Sequence, residues 1–123
     1  MTNAEFNNKF CNRTKEFSIQ IVHFIKSLPF NTVTKVLGDQ LCKSGTSIGA
    51  NFRAFFRARS KNERFSKICI VVEEADETQY WLDLFSTSKT GNNEVIQNLS
   101  AEAEEILKVA SAIKNSLFPK VSK

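Results

Sequence analysis

Glycine and proline are so sparse that this chain can turn in only a few places: it has four glycines and two prolines in 123 residues. Sandwiches and barrels need many more turns, so a few long helices joined by short links are predicted. Pro29, Gly91 and Pro119, with a further break near Arg59 and Ser60, divide the sequence into four segments. The length suits one domain over residues 1–123, because domains typically hold roughly 100 to 150 residues.

Each segment carries a helical pattern. In the first, Phe10, Phe17, Ile21, Phe24, Ile25 and Leu28 recur at helical steps, which predicts an amphipathic helix ending before Pro29. The second runs from Thr32 to Ala58, with Leu37, Leu41, Ser44, Ile48, Phe52 and Phe55 facing inward. Ser60-Lys61-Asn62-Glu63 has the form of a capping box, so a third helix is expected to start there. From Asn93 to Phe118, Leu99, Ala103, Ile106, Ala110, Ile113 and Leu117 alternate steps of four and three, the spacing of coiled-coil packing. Short links return each helix beside its predecessor, so the expected fold is all-α, an antiparallel up-down four-helix bundle.

The third helix is unusual. Ile68, Val72, Ala75, Gln79 and Leu82 form one face, while Ile70, Trp81 and Phe85 fall outside it. Either the bundle encloses this helix on two sides, or its second face meets another subunit. On the latter reading Ile70, Trp81 and Phe85 are interface candidates in a homo-oligomer.

Several functional classes are excluded or disfavoured by the residues. With 41% hydrophobic and 24% charged residues, the chain has the composition of a globular protein. Its longest apolar run, Ile68 to Val72, is far below the roughly 20 residues of a membrane span. Met1 to Phe10 is polar and lacks the pattern of a secretory signal, so a cytoplasmic location is expected. Cys11, Cys42 and Cys69 are odd in number and lack C-x-x-C spacing, which suggests reduced core thiols. The sole histidine, His23, has Gln20 three positions before it, so the Glu-x-x-His pairs of a di-iron bundle are missing. Zinc-site spacing is also missing, and His23 between Val22 and Phe24 is expected to be a hydrogen-bonded structural residue. Gly45 and Gly49 lie in neither a P-loop nor a dinucleotide fingerprint and suit close helix packing instead. No catalytic residue, metal site, cofactor or small-molecule substrate is therefore predicted, and the protein is not expected to be an enzyme.

Charge carries the functional signal. Between Lys43 and Lys67 seven basic residues face one acid, Glu63, giving this stretch +6 against +4 for the whole chain. Lys43, Arg53 and Arg57 project from the outer side of the second helix, and Arg59, Lys61 and Arg64 cluster at its junction with the third. Such a cluster suits the phosphates of RNA or DNA, because arginine grips phosphate through two parallel bonds. The competing reading is a solvated face with cross-helix ion pairs. Glu73, Asp76, Glu77 and Asp83 share a broad stripe on the third helix and offer the opposite charge, within the chain or on another subunit.

Three segments follow one another along the middle of the chain: Ser44-Gly45-Thr46-Ser47-Ile48-Gly49-Ala50-Asn51, then Arg57-Ala58-Arg59-Ser60-Lys61, then Glu73-Glu74-Ala75-Asp76-Glu77-Thr78-Gln79-Tyr80-Trp81-Leu82. In their order and spacing the chain resembles the four-helix bundle family of 23S ribosomal RNA intervening-sequence proteins. The resemblance is specific from about Lys43 to Phe85 and rests on helical pattern elsewhere. It implies a bacterial up-down bundle, a ring of five subunits and no recognised catalytic centre. It also implies kinship of fold with the basic accessory protein of diversity-generating retroelements, which associates with nucleic acid. Phe52-Arg53-Ala54 stands where many members have Ile-Ala-Glu, so no role of that glutamate carries over.

Overall fold

A computed structural model describes residues 1–118, which form four helices and no strand: α1 (Asn3–Lys26), α2 (Thr32–Phe56), α3 (Lys61–Thr87) and α4 (Asn93–Leu117). Pro119, expected to close the last segment, lies outside the described residues. Each helix begins where a short polar side chain accepts from an amide three residues on. Thr2 accepts from Glu5, Asn31 from Thr34, Ser60 from Glu63 and Asn92 from Val95. These caps satisfy amides that would otherwise have no helical partner. The full reciprocal box forms at Asn31 and Thr34. At the expected box, Ser60 Oγ accepts from the Glu63 amide at 3.0 Å, which is the first half of the motif.

The links are short, and successive helices run antiparallel. α2 packs against α1 and α3, α3 packs against α4, and a narrower seam joins α4 to α1. This is the up-down four-helix bundle expected from the spacing. The α3–α4 link turns through Gly91 at a φ of 92°, a backbone region that costs residues with a Cβ. A Cβ there would also lie 2.9 Å from the Phe24 ring.

The core follows the helical stripes closely. Phe17 and Ile21 of α1, Leu41, Ile48 and Phe52 of α2, and Leu99, Ala103, Ile106 and Ala110 of α4 are buried. Burying each large apolar side chain contributes roughly 1.5–3 kcal/mol. Gly45 and Gly49 let α1 approach: an added Cβ would stand 3.0 Å from Ile21 at the first and 3.2 Å from the Thr14 carbonyl at the second. The close-packing role expected of them is the one they perform.

α3 departs from its expected face. Its buried residues are Ile68, Val71, Ala75, Thr78, Leu82 and Phe85, a continuous three-four alternation, while Val72 and Gln79 are half-buried. The face is displaced toward α2 because the polar Thr78 has a buried partner: its hydroxyl lies 3.0 Å from Ser44 Oγ and donates to the Glu74 carbonyl at 2.7 Å. Phe85, expected on the outer face, is fully buried and meets Phe24 edge-on at 5.4 Å between centroids. It is therefore a core residue, while Ile70 is half-buried and half-buried Trp81 packs against the core with exposed Tyr80 beside it.

Two other expectations are corrected. His23 is exposed beside a groove between α1 and α4, and among the described residues its side chain has no hydrogen-bond partner, so it is not the hydrogen-bonded structural residue expected. Cys11, Cys42 and Cys69 are free thiols, as expected, but only half-buried, with Cys11 packed against the core cluster.

Candidate nucleic-acid interface

Up-down topology brings the amino end of α1, the α2–α3 link and the carboxyl end of α4 to one end of the bundle. An aromatic cluster anchors this end. Phe10 meets Phe52 edge-on at 4.6 Å, and Phe52 lies 5.1 Å from Phe55. With Phe52 and Phe55 turned inward, Arg53 and Arg57, one turn apart, must project outward.

Both arginines line a groove of about 460 Å³ between α1 and α2. The α1 wall contributes Asn8, Cys11, Asn12, Lys15 and Ser18; α2 contributes Gly49, Ala50, Arg53, Phe56 and Arg57. Three cations and no carboxylate line it. Lys15 is hidden from a reading of the sequence because its nearest sequence neighbour is Glu16, and only the packing of α1 on α2 shows it beside Arg53. Cys11 senses the same field. Burial pushes its thiol above the ordinary range, and Arg53 and then Arg57 partly offset that rise by favouring the thiolate.

The other candidate residues are distributed around this groove. Arg59 and Lys61 are exposed in the α2–α3 link and the first turn of α3. Lys43 is exposed on α2, ten residues before Arg53, which places it about 15 Å away along the helix axis. Arg64 stands apart from the expected cluster of phosphate contacts. Its guanidinium carbon lies 4.8 Å from the Phe55 ring centroid, and its Nε is buried without a hydrogen-bond partner. The side chain covers the end of the aromatic cluster through a cation–π contact.

The basic cluster and the acidic stripe of α3 do not pair with each other among the described residues. There, ion pairs within 4 Å join Arg13 to Glu102, Lys35 to Asp39 and Lys108 to Glu105. None of these uses a residue of the basic cluster. Glu73, Asp76, Glu77 and Asp83 are exposed on α3, where Glu77 accepts a hydrogen bond from Trp81 Nε1 at 3.2 Å. Lys43, Arg53, Arg57, Arg59 and Lys61 are thus exposed cations without an ion pair among the described residues.

The described residues contain no group of three or more potential metal ligands, and no helix long and apolar enough to cross a membrane. A family model described as 23S rRNA-intervening sequence protein matches residues 7–112. The chain is also similar to a solved protein of unknown function from the S23 ribosomal protein family of Bacteroides thetaiotaomicron. The two share 32% identity and a TM-score of 0.76 over 85% of this chain and 96% of that one. No curated protein matches. Neither description carries an enzymatic activity.

Proposed function

The chain belongs to the 23S rRNA-intervening sequence protein family, and from that premise we propose that it is a non-enzymatic, oligomeric protein that binds or scaffolds nucleic acid through its basic end. The observation that carries this reading is the set of exposed cations Lys43, Arg53, Arg57, Arg59 and Lys61, none in an ion pair among the described residues. Cations left without carboxylate partners attract a polyanion and release its counterions on binding. Arg53 and Arg57 supply forked donors for phosphate oxygens, while Arg59 and Lys61 extend the positive surface around the end of the bundle. Arg64 contributes by holding that end together. A cytoplasmic location is part of the same proposal.

Self-association belongs to the same proposal. Ile70 and Trp81 of α3 are half-buried, Trp81 packing one side against the core, and Tyr80 beside Trp81 is 60% exposed. Pairing of the acidic stripe of α3 with the basic end of another copy is the competing use of the same cations. A second reading, a protein-interaction module that does not bind nucleic acid, draws on these same α3 residues. Copurification from native cells with and without nuclease, combined with titration of unrelated RNA and DNA across a salt series, separates the two. Salt-sensitive binding to both nucleic acids supports the proposal. Retention of one defined protein after nuclease treatment, with no nucleic-acid binding, contradicts it.

A further inference from the structure

The α1–α2 groove holds more than charge. Phe56 lies at its edge with 39% of its surface exposed, although it follows directly on buried Phe55. Gly49 and Ala50 place no long side chain in the groove, whose volume is about 460 Å³ and whose lining includes the Phe56 ring and the three cations. Asn12 and Ser18 on the α1 wall add uncharged polar groups. An aromatic face beside cations, in a groove free of carboxylates, combines the two elements by which proteins hold single-stranded nucleic acid.

We propose that this groove seats a nucleotide of single-stranded nucleic acid, with Lys15, Arg53 and Arg57 on its phosphates and the Phe56 ring against its base. The proposal rests on the nucleic-acid reading above and narrows it to strand type and to a seat. A duplex keeps its base faces stacked inside, so it gains the charges but not the ring. A single strand gains both, and because every base has a π-face the site is tolerant of sequence. Lys15 joins the binding surface as a phosphate contact from α1.

The test uses the full chain, a short fluorescein-labelled oligouridylate and an RNA duplex of the same length, with anisotropy as readout. Phe56→Leu keeps apolar cover over the core but removes the π-face, and circular dichroism checks that its helices persist. The proposal expects this variant to bind the single strand at least about five-fold more weakly and the duplex unchanged. Lys15→Gln is expected to reduce the salt slope for the single strand by about 0.7. Unchanged single-strand affinity in Phe56→Leu, or an equal weakening on both probes, overturns the seat while leaving the wider reading standing. Subunit dissociation in Lys15→Gln with unchanged oligouridylate binding assigns the groove to a second copy and also overturns it. A wild-type chain that binds neither probe overturns the wider reading itself.

Discussion

Arg13 of α1 grips Glu102 of α4 through two hydrogen bonds of 2.7 Å, Nε to Oε2 and a terminal nitrogen to Oε1. Among the described residues this is the ion pair that joins two helices, and it spans the narrow seam between α1 and α4. It shows what a neutralised arginine looks like in this bundle. Arg53 and Arg57, on the other side of α1, have no such partner among the described residues.

Replacing Arg13 with alanine is therefore expected to lower stability by no more than about 1 kcal/mol, since the pair is solvent-accessible and screened. Nucleic-acid affinity should stay unchanged. Urea unfolding followed by circular dichroism and a binding titration check the two halves of this expectation. A drop in affinity equal to that of an Arg53 variant would show that charge anywhere on the surface serves.

Phe85→Ala is expected to destabilise the bundle by about 3–5 kcal/mol, because it removes a buried ring and leaves a cavity against Phe24. That is a large share of the roughly 5–15 kcal/mol that holds a domain together. The shift of the urea midpoint measures it. A mild destabilisation accompanied by altered subunit association would instead fit a ring on an intersubunit face.

The course of α3 explains what the sequence discloses and what it conceals. α1, α2 and α4 are legible because their apolar residues share one stripe, whereas the one helix start that a cap marks in the sequence is that of α3, at Ser60. On α3, Val71 and Val72 are adjacent, and the core register passes through Thr78, a polar residue whose burial depends on Ser44 of another helix. Pattern alone cannot supply that partner, so it favours Val72 and Gln79 and sets Phe85 outside. The basic end is legible as a run of charge. Lys15 and the groove are not, because they arise where α1 lies against α2, and neither is the stacking of Arg64 on Phe55.

Self-association is expected at micromolar concentration, with a mass above the 13.9 kDa of one chain. Changing Ile70 and Trp81 together to alanine should lower that mass with little change in helix content. Light scattering coupled to size-exclusion chromatography checks it. A monomeric wild type would remove Ile70 and Trp81 as interface residues.

Cys11 reports on the groove. Burial holds its thiol pKa above the ordinary value, so alkylation near neutral pH should be slow and should accelerate as pH rises toward the thiolate range. Arg53→Gln removes a charge that favours the thiolate and is expected to raise that pKa further and slow alkylation at fixed pH. Bound oligonucleotide should protect Cys11 more than Cys42, which does not line the groove. Peptide mapping after iodoacetamide treatment distinguishes the two thiols.

Arg53, Arg57 and Arg59 are expected to touch phosphates, and the salt dependence of binding tests this directly. The measurement is the slope of log affinity against log salt for a single-stranded oligonucleotide, in the wild type and in the triple variant with all three changed to glutamine. The slope is expected to flatten by about 0.7 for each arginine that bound a phosphate, and the affinity to fall, while helix content is retained. Arg64→Gln should leave the slope unchanged and lower stability. A triple variant with wild-type affinity and slope would contradict the claim, because the cluster would then hold no phosphate.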